Sequence, residues 1–166
     1  MTSPKKKPSA AAKPVASVNL SSLWNIAGFK LRMLDLRLMR SVSERLGRIG
    51  LTPASATVLL VLESNPGMPL GRLADTLIVQ RPNMTKLVKR LEGRKLIGRN
   101  ASDGDRRRIS LGLTPTGKRH ATKVRAILVE HDASVLSALT PAERTQFMQM
   151  IGRMFESLEN GGKKRG

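Results

Sequence analysis

Apolar residues recur at helical spacing along most of this chain. Over 20–47, Leu20, Leu23, Trp24, Ala27, Leu31, Leu34 and Leu38 form one stripe, and Ile26, Phe29, Met33 and Leu36 form a second. A helix with two apolar faces must bury both. The tripeptide Leu-Thr-Pro occurs at 51–53, 113–115 and 139–141. Each places a threonine where a helix needs a side-chain cap and a proline where its first turn needs no donor. Helices are therefore expected over 53–64, 115–138 and about 141–159, the last with a Thr140/Glu143 capping box. That last helix carries Phe147, Ile151, Met154 and Leu158, supplemented by Met148, Met150 and Phe155. Its breadth suits either a thick core or a second chain. One small domain has little room for both terminal helices' stripes, which favours the second chain.

The middle of the chain has shorter periods. After a break at Asn65-Pro66-Gly67, Leu70, Leu73, Ala74 and Leu77 predict a short amphipathic helix. Three linking residues on, Met84, Leu87, Val88 and Leu91 repeat the pattern, with Pro82 in the first turn. Two short helices this close form a helix-turn-helix candidate. On a helical wheel Pro82, Lys86, Lys89 and Gly93 lie opposite the second stripe, flanked by Asn83, Arg90 and Thr85. Segments 97–101 and 108–113 then read as strands, because Ile109, Leu111 and Leu113 alternate with Ser110 and Gly112. The residues between them form the turn of a hairpin, with Arg106 and Arg107 at its tip. A helix-turn-helix followed by a basic hairpin is a winged helix. Asp105 can hold an arginine fork toward a polyanion, and Asp103-Gly104 suits the turn itself.

Charge sharpens this picture. The 166 residues carry 30 Lys and Arg against 12 Asp and Glu, a net charge of +18. Four lysines in 1–18 and three basic residues in 161–166 account for seven of these charges, leaving eleven on residues 19–160. Such a surface suits nucleic acid. Tyrosine is absent, and Trp24, Phe29, Phe147 and Phe155 are the aromatic residues. Single-strand and RNA readers stack bases on aromatic platforms, so a double-stranded partner is expected. Residues 1–18 read as a disordered basic arm and 161–166 as a basic tail. The absence of cysteine excludes disulfides and thiol chemistry and points to an intracellular, cytoplasmic chain. Lys13 and Pro14 interrupt any signal-peptide core, and the longest apolar run, Val58–Leu62, is too short to span a membrane.

The chain resembles the multiple-antibiotic-resistance-regulator (MarR) family over about 20–160. Asp105-Arg106-Arg107, Leu111, Leu113-Thr114 and Gly117 match its wing signature "DRR…L.LT..G". "LTPASATVLLVLE", "LGRLADTL" and "MTKLVKRLEGRKLIGR" follow its preceding helices in order and spacing. The resemblance implies a mainly α fold with a small β-wing: a winged helix-turn-helix lobe at about 51–117 within a domain spanning 19–160. Dimerisation helices at about 20–47 and 115–159 would interlock two chains into a homodimer on a pseudo-palindromic duplex. Recognition helix 82–95 would offer Pro82, Asn83, Thr85, Lys86, Lys89 and Arg90 to DNA. The wing would offer Asp105, Arg106, Arg107 and Arg108, with Arg107 in the family's minor-groove position. Ile78 stands where many members bend on glycine, and Gln80 and Arg81 where serine or aspartate often caps. Members often repress transcription and release DNA on binding a small aromatic or anionic effector, for which Trp24, Phe29, Arg32 and Met33 are candidate contacts.

Catalysis is not expected. His120 and His131 are eleven residues apart on one helix, about 16 Å by helical rise, too far to share a metal. His131 and Asp132 face different directions on a helix and form no dyad. No phosphate-binding glycine motif is present, and no cofactor is implied. The rival from another class is a basic architectural DNA-binding protein without ligand gating. Attachment of the lysine arm to a membrane surface is disfavoured, since the arm has no apolar anchors.

Overall fold

The computed structural model describes the backbone of residues 19–102 and 105–163, and their side chains except those of 100–109, 159 and 161–163. The arm and the end of the basic tail lie outside the described residues. The chain divides into two compact units, one ending at Leu38 and one beginning at Met39. Helix α1 (Ala27–Gly47) starts in the first and ends in the second.

In the first unit the helix begins seven residues later than its apolar stripe suggests. The Asn19 side chain accepts the Ser21 N–H at 3.0 Å, and hydrogen-bonded turns carry the chain from Leu20 to Ile26. Asparagine and serine side chains offer the backbone partners that compete with a helix. Leu20, Leu23 and Trp24 therefore ride on turns that precede α1.

In the second unit the three Leu-Thr-Pro sites start helices as their chemistry predicts. Thr52 accepts the Ser55 N–H and opens α2 (Pro53–Ser64). Thr114 accepts the Gly117 N–H and opens α5 (Pro115–Val135), which a 3-10 turn at Leu136–Ala138 extends. At the third site, α6 (Pro141–Lys163) opens with a reciprocal box: the Thr140 N–H donates to Glu143 Oε2 at 2.8 Å, and the Glu143 N–H donates back to Thr140 Oγ1. Donation from Thr140 holds the Glu143 carboxyl below its ordinary range. Helix α6 runs four residues past its expected end, through Gly161 and Gly162. Each such glycine costs only about 1 kcal/mol in a helix, too little to end it.

Between α2 and α5 lie α3 (Leu70–Thr76), α4 (Arg81–Gly93) and a three-stranded antiparallel sheet. Strand β3 (Asp105–Leu113) sits between β2 (Ile97–Ser102) and the two-residue β1 (Met68–Pro69). No period revealed β1, because two residues are too few to show one. The core joins Leu46 of α1 to Val58, Leu59 and Leu62 of α2, Leu73 of α3, Met84, Val88 and Leu91 of α4, Leu111 of β3 and Val124 of α5. All of these side chains are buried. Ion pairs at the periphery of this unit include Arg125 with Glu63 and Arg45 with Glu130. No described helix is long and apolar enough to cross a membrane.

The base of the hairpin is keyed to α5 by two residues of the wing signature. Thr114 donates its hydroxyl hydrogen to the Lys95 carbonyl at 2.6 Å while accepting from Gly117. A Cβ on Gly117 would fall 1.9 Å from the Leu96 carbonyl oxygen, so only glycine permits this approach. Thr114 and Gly117 therefore hold the wing in place.

Candidate nucleic-acid interface

Helix α3 ends in a tight turn that aims α4. The Val79 N–H donates to the Ala74 carbonyl at 2.9 Å and the Ile78 N–H to the Asp75 carbonyl at 3.2 Å. This pair of bonds is a Schellman closure, which requires a left-handed residue at its corner. Ile78 takes that conformation, with φ 53, while its side chain is 94% exposed. The bend usual for glycine is thus made by a β-branched residue. The same closure ends α1 at Gly50 (φ 69) and α4 at Lys95 (φ 56).

Helix α4 presents the face its period predicts. Met84, Val88 and Leu91 are buried, whereas Pro82, Asn83, Lys86, Lys89 and Arg90 are exposed. Lys86, Lys89 and Arg90 form no ion pair among the described residues, so their charge is uncompensated. Thr85 is half-buried and donates its hydroxyl hydrogen to the Arg81 carbonyl at 2.9 Å. Its oxygen remains an acceptor, but its donor is committed to the helix. Gln80 stands at the N-cap without a side-chain bond. By sequence Arg81 is a weak cap. It pairs instead with Asp75, Nη2 to Oδ2 at 3.6 Å. A carboxylate six residues before the first residue of α4 was the available signal.

The hairpin is longer than its alternation suggests, and this moves the wing arginines. Pairing steps from Ala101↔Ile109 directly to Ser102↔Asp105, so Arg106, Arg107 and Arg108 form a bulge within β3 rather than the turn. Bulges re-aim side chains and sharpen twist. Residues 103–104 and the side chains of Asp105, Arg106, Arg107 and Arg108 lie outside the described residues. Arg99, at the root of the wing, is bound to Glu92 at 2.5 Å, and that hydrogen bond raises its pKa.

The proposed effector contacts lie in the first unit. Trp24 and Phe29 meet edge to face with ring centroids 5.6 Å apart. Phe29 and Met33 are half-buried and Trp24 is exposed. Arg32 is paired with Asp35 at 2.9 Å, so an incoming anion would compete with that carboxylate. His120 Nδ1 bonds the Thr116 carbonyl at 3.0 Å, and His131 is buried with Nε2 unpartnered. No group of metal ligands occurs among the described residues.

The MarR family profile matches residues 49–108, from just after α1 into β3. The HTH-type transcriptional repressor MdtR of Bacillus subtilis is 30% identical over 139 residues, covering 82% of this chain and 90% of the relative. Among solved structures, the transcriptional repressor CouR bound to a 23-mer DNA duplex is similar with a TM-score of 0.76 at 28% identity, over 84% of this chain and 99% of CouR. CouR bound to p-coumaroyl-CoA gives a TM-score of 0.74 at 27% identity, over 83% and 97%.

Proposed function

The chain belongs to the MarR family of winged-helix, DNA-binding transcriptional regulators, and from that premise we propose that it is a homodimeric, ligand-responsive repressor acting on a pseudo-palindromic operator. The observation that carries this reading is the uncovered face of α4, where Lys86, Lys89 and Arg90 stand exposed, with no ion pair among the described residues, opposite a buried apolar stripe. The second helix of such a motif enters the major groove, where Asn83, Thr85, Lys86 and Lys89 are the base-reading candidates. Arg107 on the wing would enter the minor groove, oriented by Asp105, with Arg106 and Arg108 beside it. Homodimer formation is supported by the apolar residues that α6 leaves exposed, among them Phe155 at 63% and Leu158 at 74%.

The effector is a small aromatic or anionic molecule. CouR, of like fold, has been captured with p-coumaroyl-CoA, which is both. Trp24, Phe29 and Met33 would meet its aromatic part and Arg32 its anion. The test is selection of duplexes from a randomised pool by the full-length protein. An enriched inverted repeat of fixed spacing is expected. Retention of DNA without any enriched sequence would replace this reading with that of an architectural protein.

A further inference from the structure

The first residue of α4 makes a contact that this reading leaves unused. Arg81 reaches back across the turn to Asp75, in the last turn of α3, with Nη2 and Oδ2 3.6 Å apart. The guanidinium also lies near Gly71, one turn earlier on α3: a Cβ added there would be 3.8 Å from both Cζ and Nη2. Arg81 thus has its seat beside Gly71 of α3 and is directed by a carboxylate. Thr85 fixes its backbone through the carbonyl. Both charged side chains are open to solvent, at 71% for Arg81 and 67% for Asp75. An exposed pair of this kind adds little to stability. It also places one of only 12 acids beside the helix that would face phosphates, where a negative charge opposes binding unless it does something else.

We propose that Arg81 contacts DNA at the leading end of the recognition helix and that Asp75 is its positioning residue. The inference rests on the DNA-binding reading of α4 and adds to it a residue from outside the predicted set. Helix-turn-helix domains address base edges through the N-terminal residues of the second helix, and Arg81 is the first residue of α4. A guanidinium offers five donors in a planar fork that matches guanine O6 and N7 or a phosphate. At 3.6 Å the contact to Asp75 is an ion pair rather than a hydrogen bond, so the carboxylate biases the fork's direction and leaves the donors available. A long side chain held in one direction loses less freedom on binding.

The test uses full-length protein and the duplex that the wild type selects from a randomised pool. Arg81→Ala is expected to weaken binding about tenfold. Asp75→Ala is expected to weaken it severalfold, although it makes the chain more positive. The double variant should bind like Arg81→Ala alone, and Asp75→Glu should restore most of the affinity. Melting temperature should be unchanged in Asp75→Ala, which separates positioning from a strap between the helices. Gly71→Leu, which crowds the seat from α3, should weaken binding in the same Arg81-dependent way. Equal or tighter binding by Asp75→Ala, additive losses in the double variant, or a loss matched by a fall in melting temperature would each overturn the proposal while leaving the regulator reading intact. A wild type that selects no sequence would overturn both.

Discussion

The winged lobe and helix α6 are built from similar apolar residues, and they treat them in opposite ways. Within the lobe Leu59, Leu62, Leu73, Met84, Val88, Leu91 and Leu111 are buried by one another. On α6, Met148, Met150, Met154, Phe155 and Leu158 remain at least 47% exposed. The lobe closes its core within one chain, whereas α6 carries an apolar face that one chain does not cover. Contiguous apolar surface of this kind marks an interaction site. In the proposed dimer the difference separates two tasks: the lobe would supply a rigid frame for a basic helix, and α6 the means to bring two such frames to one duplex.

The sharpest way to break the lobe is at its tightest contact. Gly117→Ala places a Cβ against the Leu96 carbonyl, a backbone atom that cannot step aside. A loss of at least about 3 kcal/mol is expected in denaturant unfolding. A loss under about 1 kcal/mol would mean that α5 does not depend on this approach.

Truncation in the lobe and charge on α6 should act on different properties. Leu91→Ala, in the lobe, should cost about 2–5 kcal/mol of stability. Leu158→Asp, at an exposed site, should leave lobe unfolding unchanged but shift sedimentation from dimer to monomer. A Leu158→Asp chain that still sediments as a dimer would remove α6 from the interface.

A smaller effect of opposite sign is expected at Ile78. A left-handed residue with a Cβ costs about 1–2 kcal/mol, and glycine's extra freedom in the unfolded chain returns about 0.4–1 kcal/mol of that. Relief of strain wins, because the exposed side chain has little packing to lose. Ile78→Gly should stabilise the protein by about 1 kcal/mol in chemical denaturation. Destabilisation would show that the isoleucine makes contacts in the assembled protein.

The smallest effect lies at the start of α6. Glu143 has a depressed folded pKa, so its contribution is present above the ordinary glutamate range and lost as pH falls through the folded value. Wild type should melt slightly above Glu143→Gln at neutral pH, with the gap closing in acid. A gap that widens in acid would reverse the assignment.

Much of this was legible in the sequence where the determinants are local. Thr52, Thr114 and Thr140 announced their helices because capping involves residues three apart. The buried stripe of α4 and its basic face followed from one period. What stayed hidden depended on the chain folding back on itself. Strand β1 exists because Met68 meets Leu111. The bulge at Arg106–Arg108 exists because the two strands differ in length between paired residues. Arg81 found Asp75 only once the Ile78 turn had closed. The late start of α1 has a local cause in Asn19 and Ser21, which the regular apolar stripe masks.

As proposed, two copies joined through α6 place two α4 helices on one operator. This arrangement is tested most directly by the mass of the complex on the wild-type-selected duplex, measured by sedimentation at equilibrium. Two chains per duplex are expected for the wild type and, for Leu158→Asp, weaker binding by a single chain. One wild-type chain per duplex with full sequence selectivity would contradict it.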